Sequence, residues 1–305
     1  MSIPNYQEIM LPLLRLTADG QVHSFREATE NLASEFKLTP VERQALLPSG
    51  AQPVFDNRVG WAKTYLIKAK LLESPRRSIF QITERGKKIL SENPKQISAT
   101  FLRQFDEFIE FVKPTKGDEE SKGLDEIDQS QATPEEILDS AYQKIRKALA
   151  QDLLTKIKLS HPSFFERLVV ELLVKMGYGG SIKDAGKATR FTNDEGIDGI
   201  IKEDKLGLDV IYVQAKRWDT QPVGRPEIQS FVGALDGQRA NKGIFITTSR
   251  FADNAAAYVK TITKKVILID GEQLANYMVD YGLGVSTFAS YELKRIDNDY
   301  FGELE

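Results

Sequence analysis

The sequence predicts an α/β protein with two domains, and three observations indicate this. A chain of 305 residues is long enough for about two domains of roughly 100–200 residues each. Helical patterns ending in a short hairpin occupy residues 1–95, whereas helix and strand patterns alternate over residues 150–305. Residues 96–149 between them combine an amphipathic helix with an acidic linker. We therefore expect a helical N-terminal domain and a C-terminal α/β domain with a mixed sheet.

Capping signals mark the helices of the first domain. Ser24 and Glu27 have the spacing of a capping box, as do Thr39 and Glu42. A third helix is expected from about residue 57 to residue 69.

A hairpin follows the third helix. Two short strands are expected between residues 71 and 82, around the Ser-Pro-Arg-Arg tip at 74–77. Thr83 then caps a helix that ends near residue 92. Three helices, a basic hairpin and a closing helix form a winged-helix pattern.

Basic residues concentrate on the third helix and the hairpin. Between Asp56 and Arg77 there are six basic residues but only two acids. In a winged helix the third helix enters the DNA groove, and the hairpin, or wing, touches the flanking DNA backbone. The alternative is a solvated helix face beside a Pro-Arg turn. The predicted DNA-binding residues are Arg58, Lys63, Lys68, Arg76 and Arg77.

Composition excludes several classes of site. The chain has no cysteine and only two histidines, so disulfides, thiol nucleophiles, zinc–thiolate sites and multi-histidine metal centres are not expected within one chain. Catalysis would have to use carboxylates, amides, lysines and hydroxyls. No membrane span or signal peptide is recognisable, so we expect a cytoplasmic protein. The net charge of −3 means that DNA binding would need local basic patches.

The connecting region has two parts. An amphipathic helix is expected over residues 98–112, and it could pack on the first domain or pair with a second copy. Residues 113–136 carry eight acids against three lysines and few apolar residues, which is typical of a mobile linker. Helix resumes near Pro134.

One carboxylate in the second domain lies in an apolar environment. In the helix expected from Pro162 to Met176, Glu166 falls within the apolar arc, close in angle to Leu173. An unpaired buried carboxylate is costly, so Glu166 needs a cation, a partner or a proton. Glu166 is therefore a candidate site residue.

Two neighbouring strands carry further polar residues. Asp198 stands at the start of one strand, and Gln214 and Lys216 share one face of the next. Each alone could be a satisfied edge residue, but together they form a specific constellation. Carboxylate and amide oxygens suit Mg²⁺, which would assist phosphodiester cleavage. A lysine can orient the attacking water and stabilise the transition state.

The order of motifs resembles a known family. The matching segments are Phe165-Glu166-Arg167-Leu168-Val169, Met176-Gly177-Tyr178, Gly196-Ile197-Asp198-Gly199, Val213-Gln214-Ala215-Lys216 and Phe245-Ile246-Thr247-Thr248-Ser249. They are similar to those of Mrr-type restriction endonucleases, in the Gln-x-Lys branch of the PD-(D/E)xK superfamily. Residues 1–95 resemble the N-terminal winged-helix domain of that family.

The resemblance implies a type IV, modification-dependent endonuclease that cuts methylated double-stranded DNA with Mg²⁺. Asp198, Gln214 and Glu166 would then be the metal ligands, and Lys216 the catalytic lysine. Glu195 stands where the family often has glycine, and it is left out of the site. Cutting both strands would favour a homodimer or a higher homo-oligomer.

Two other functions stay open. The same catalytic core could serve a recombination or repair nuclease such as a junction resolvase. Alternatively, a winged-helix regulator could carry a catalytically silent nuclease domain.

Overall fold

The computed structural model describes residues 3–50, 52–76, 79–113, 131–179, 197–203, 208–294 and 296. It divides into two compact units, the first formed by residues 1–143 and 294–305 and the second by residues 144–293. The dividing point lies within one helix, Pro134–Leu159, which also contains the boundary near residue 150 that the sequence suggests.

The first unit combines short helices with a small antiparallel sheet. The strand order is β1-β3-β2, with β3 pairing antiparallel to both neighbours. The elements are α1 (Tyr6–Leu16), β1 (His23–Ser24), α2 (Phe25–Glu35), α3 (Pro40–Gln44), α4 (Val54–Lys68), β2 (Leu72–Glu73), β3 (Ile79–Ile82), α5 (Glu84–Ser91), α6 (Ala99–Leu102) and α7 (Asp106–Val112).

Side-chain caps start α1, α2, α3, α5 and α6, and those of α2, α3 and α5 lie where the sequence predicts them. Thr39 and Glu42 form the expected capping box at α3. Ser24 Oγ accepts from Glu27 N at 3.1 Å at the start of α2, and Thr83 Oγ1 accepts from Gly86 N at 3.1 Å at α5. Each bond satisfies a backbone N–H that has no partner within its helix.

The region expected to form one amphipathic helix over residues 98–112 forms two short helices instead. α6 ends at Leu102, and α7 begins at Asp106 after a turn. Their apolar residues complete the core of the first unit, where Leu102 and Phe108 are fully buried. The break lets both helices present apolar side chains to this core. Of the two alternatives, packing on the first unit or pairing with a second copy, the structure shows the first.

The second unit is a layered α/β structure. The sheet order is β4-β5-β6-β7; β4 and β5 are antiparallel, and the remaining pairs are parallel. The elements are α8 (Pro134–Leu159, which begins in the first unit), α9 (Pro162–Lys175), β4 (Gly199–Lys202), β5 (Val210–Lys216), α10 (Arg225–Gly237), β6 (Lys242–Thr247), α11 (Asp253–Val259), β7 (Lys265–Ile269) and α12 (Gly271–Asp280).

Helices cover both faces of this sheet, which confirms the predicted α/β fold with a mixed sheet. Residues of α8, α9 and α12 pack on one face, and residues of α10 and α11 pack on the other. Side chains alternate along β5, so Val213 and Ala215 join the first cluster whereas Tyr212 packs with the second. Gln214 and Lys216 therefore share a face, as the sequence predicts. Among the described residues, no helix is long and apolar enough to cross a membrane.

Candidate active site

The site is built around the start of β4. Asp198 N donates to the Val213 carbonyl at 2.9 Å, and Ala215 N donates to Asp198 Oδ2 at 2.7 Å. The carboxylate is therefore fixed on β5 at the residue between Gln214 and Lys216. This hydrogen bond therefore brings the two sequence motifs, Asp198 and Gln-x-Lys, next to each other.

Gln214 brings a buried oxygen to this place. The residue is 5% exposed, and no described residue donates a hydrogen bond to its Oε1. A buried amide oxygen without a donor costs roughly 1–3 kcal/mol. A divalent cation with a preference for oxygen ligands would satisfy this oxygen. The burial of Gln214 thus fits the metal-ligand role that the family resemblance implies.

Two threonines hold the backbone of Lys216 at the end of β5, one through its hydroxyl and one through its backbone N–H. Thr247 Oγ1 donates to the Lys216 carbonyl at 2.8 Å, and Thr248 N donates to the same carbonyl at 3.3 Å. Thr248 Oγ1 donates to the Trp218 carbonyl at 2.6 Å. Both threonines are buried, so they position the strand that carries Lys216. Sequence reasoning missed this role; two threonines directly after the apolar run Gly243–Ile246 were the available signal.

Glu166 approaches the site from helix α9. A Cβ placed on Gly199 would lie 3.5 Å from Val170 Cγ2, so α9 passes over the start of β4. Glu166 lies one turn before Val170 on the same face of the helix. Burial, followed by the charge of Asp198, raises the pKa of the Glu166 carboxyl, while His161 acts in the opposite sense. The two carboxylates are therefore electrostatic neighbours.

The pKa of Asp198 is also raised. Burial is the main cause, and it is opposed by the hydrogen bond from Ala215 N and by the positive charge of Lys216. The two opposing influences both come from the Gln-x-Lys strand. Two carboxylates that resist ionisation in the same region form an environment that favours a bound cation.

The available ligand set is two carboxylates and one amide. Within the part of the chain that the structure describes, no group of three His, Cys, Asp or Glu side chains comes together. By the alternation along β5, Gln214 lies on the sheet face of Tyr212, whereas Glu166 belongs to α9 on the other face; Asp198 is tied to β5 at Ala215, between Gln214 and Lys216. Glu195 lies outside the described residues.

Two predicted DNA-binding residues are already engaged within the first unit. Arg58 donates to Glu136 Oε1 through Nε at 3.0 Å and Nη2 at 2.7 Å, and its Nη1 donates to the Ile3 carbonyl at 2.6 Å. Lys63 Nζ lies 5.0 Å from the Phe25 ring centre, and burial lowers the pKa of this lysine.

The other predicted DNA-binding residues lie toward the end of α4 and at the hairpin. Lys68 is exposed, and its Nζ lies 5.0 Å from the ring centre of Phe111. Arg76 is exposed at the hairpin tip. Arg77, the last of the five, lies outside the described residues.

Sequence comparisons assign the chain to a family. Residues 157–278 match the family described as "Restriction endonuclease", and residues 6–92 match the family described as "Mrr N-terminal domain". The type IV methyl-directed restriction enzyme EcoKMrr of Escherichia coli (strain K12) is 35% identical over 308 residues, covering 99% of this chain and 100% of that protein. The chain belongs to the Mrr family of restriction endonucleases. Glu166, Asp198, Gln214 and Lys216 all lie within the matched Mrr catalytic region.

Two solved structures show weaker likeness to this Mrr-family chain. The DNA modification-dependent restriction endonuclease AspBHI is 20% identical, with a TM-score of 0.37 over 44% of this chain and 36% of its own. The MspJI restriction endonuclease in complex with a 27-mer oligonucleotide is 20% identical, with a TM-score of 0.27 over 65% of this chain and 42% of its own.

The raised pKa of Asp198 predicts the sign of a stability change. Because the folded state holds this proton more tightly than the unfolded state, ionised Asp198 destabilises the metal-free fold at neutral pH, and stability recovers as pH falls toward the raised pKa. Asp198→Asn should therefore be more stable than its parent in the metal-free state at pH 7, because the amide removes the buried charge while its oxygen can still accept from Ala215 N.

Thermal unfolding with and without Mg²⁺ measures this change. Mg²⁺ should raise the midpoint of the parent protein but leave that of Asp198→Asn unchanged. Asp209→Asn is the matched control with the opposite sign, because the hydrogen bond from Lys242 lowers the pKa of Asp209. A metal-free Asp198→Asn protein less stable than its parent would contradict the predicted cost of burying the Asp198 charge.

Proposed function

We propose that this protein is a Mg²⁺-dependent type IV endonuclease that hydrolyses phosphodiester bonds in methylated double-stranded DNA. The observation that carries the proposal is the hydrogen bond from Ala215 N to Asp198, which sets a carboxylate beside buried Gln214 and strand-end Lys216. The type IV methyl-directed relative supports the substrate class.

We assign the site residues as follows. Asp198, Gln214 and Glu166 would hold the cation through oxygen atoms, and PD-(D/E)xK nucleases generally use divalent metals. A bound Mg²⁺ supplies positive charge that offsets the charge developing on the phosphate in the transition state. The ammonium group of Lys216 orients the attacking water and donates to the reacting phosphate. Thr247 and Thr248 hold the Lys216 carbonyl and so limit movement of this lysine.

We propose a winged-helix DNA-binding role for the first unit. A helix, α4, precedes a two-stranded hairpin, and a short third strand pairs with the hairpin in the order β1-β3-β2. Exposed Lys68 and Arg76 lie on α4 and at the hairpin tip, the elements that such domains place in the groove and along the backbone. These two positions are our strongest candidates for phosphate contacts.

Cutting both strands of a duplex needs two catalytic sites. We therefore propose that the protein acts as a homodimer or a higher homo-oligomer in the cytoplasm, where its DNA substrate is found.

Plasmid cleavage by Lys216→Ala tests the catalytic assignment. Loss of this ammonium should reduce the cleavage rate at least a hundredfold, because one preorganised transition-state donor is worth roughly that factor. DNA binding should change little. The assay uses methylated and unmethylated plasmid, with Mg²⁺ or with a chelator, and Lys265→Ala on the exposed edge of β7 is the control. Retained cleavage by Lys216→Ala would refute the proposed catalytic role of this lysine. A preference for branched over methylated DNA would instead favour a junction resolvase.

Salt dependence of binding tests the first unit. The double variant Lys68→Ala, Arg76→Ala should bind duplex DNA at least tenfold more weakly than its parent. The slope of log affinity against log salt should fall by about 2, because each lost phosphate contact removes about 0.9. Lys88→Ala with Lys95→Ala, two exposed lysines elsewhere in the unit, is the control. Equal slopes for both pairs would refute the proposed DNA contacts.

A further inference from the structure

Helix α4 has a clear inner and outer side. At about 100° per residue, Phe55, Val59 and Leu66 fall on one side, and all three are buried in the core. Asn57 and Trp61 fall on the opposite side, together with Gly60, Thr64 and Lys68. In a helix that lies in the major groove, outward side chains are the ones that reach base edges.

The N-terminal part of the outer side of α4 is nevertheless covered. Thr133 Oγ1 donates to Asn57 Oδ1 at 2.6 Å, and the two residues are 0% and 5% exposed. Trp61 Nε1 donates to Glu135 Oε2 at 2.5 Å. Asn57 and Trp61, two of the outward side chains, are therefore occupied by another part of the same unit, which we name the acidic cap: residues 133–139.

An ion pair anchors the acidic cap. Arg58 and Glu136 form it with side chains that are only 18% and 14% exposed. Glu136 Oε2 also accepts from Thr133 N at 2.7 Å, and Glu136 N donates to Thr133 Oγ1 at 3.3 Å, so the pair starts α8 as a capping box. Asp139 Oδ2 accepts from Ser49 N at 3.3 Å. Composition assigns Glu135 and Glu136 to the mobile linker, but the structure packs both on α4.

The acidic cap offers α4 negatively charged hydrogen-bond acceptors, as DNA would. Its carboxylates accept hydrogen bonds from a guanidinium and an indole N–H, groups that otherwise pair with phosphate oxygens and base-edge acceptors. A groove of about 440 Å³ beside it is lined by Phe25, Asn57, Trp61, Lys63 and Thr64, among others. An asparagine can bind adenine bidentately, and aromatic rings offer apolar contact to a methyl group.

We infer that Asn57 and Trp61 contact the bases of the target DNA and that the acidic cap blocks them until DNA displaces it. The inference rests on the proposed DNA-binding role of the first unit. The acidic cap and DNA then compete for the same face of α4. Weakening the cap increases the fraction of molecules in which this face is free, and the apparent DNA affinity rises by the same factor.

The first experiment weakens the cap in the full chain, with Asp198→Ala added to prevent cleavage. Glu135→Gln with Glu136→Gln removes both charges while glutamine can keep the capping hydrogen bond. This pair should bind methylated duplex DNA at least tenfold more tightly by fluorescence anisotropy. The control, Glu84→Gln with Glu92→Gln, removes two exposed charges from the same unit and should change affinity less than threefold.

A neutral substitution separates cap release from general electrostatics. Thr133→Val removes both the bond to Asn57 and the capping bond from Glu136 N without changing charge, and it should also tighten DNA binding several-fold, whereas Thr155→Val on the exposed part of α8 should not. Thermal unfolding checks that each variant folds.

A double-mutant cycle then tests the two outward residues. Asn57→Ala and Trp61→Phe should each weaken binding at least fivefold in the cap-weakened background, but less than twofold in the parent, where the cap already occupies them. If the cap-weakened and control pairs bind DNA equally, the inference is wrong. If Lys68→Ala with Arg76→Ala leaves affinity unchanged in both backgrounds, the proposed DNA-binding role fails, and the inference fails with it.

Discussion

The hydrogen bond from Ala215 N to the Asp198 carboxylate is the interaction on which the proposed catalytic site depends. It fixes an acidic side chain at the start of β4 against the strand that carries Gln214 and Lys216. Without it, the alternation of β5 would still place these two residues on one face, but nothing would hold a carboxylate next to them. The cost of burying Asp198, visible in its raised pKa, is the cost of this preorganisation.

Each unit contains buried polar groups that the proposed ligand, a cation in the second unit and DNA in the first, would satisfy. In the second unit, Gln214 Oε1 has no donor among the described residues, and the pKa values of Glu166 and Asp198 are raised. In the first unit, the donors of Arg58 and Trp61 are satisfied by carboxylates instead of nucleic acid. A cation bound as we propose would satisfy the first site, and carboxylates of the same unit satisfy the donors of the second. Because these groups are buried, leaving any of them without a hydrogen-bonding or charged partner costs free energy.

Local patterns were enough to single out the residues of the proposed site, because the signals that mark them are short-range. A two-residue period put Gln214 and Lys216 on one strand face, and a helical period put Glu166 in an apolar arc. The cap on α4 could not be predicted this way. Asn57 and Thr133 are 76 positions apart, and the acidic composition before Glu136 indicated a solvated segment. Strand β1 was missed because two residues carry no period, and the role of Thr247 depends on a neighbouring strand.

Cation binding at Gln214 tests the central claim most directly. Mn²⁺ binding to the full chain can be followed by electron paramagnetic resonance for Gln214→Ala and Gln214→Glu, with exposed Gln238→Ala as the control. Gln214→Ala should weaken binding at least tenfold, and Gln214→Glu should strengthen it because a carboxylate adds a full charge. Unchanged Mn²⁺ affinity in both Gln214 variants would contradict the assignment of this buried amide as a metal ligand.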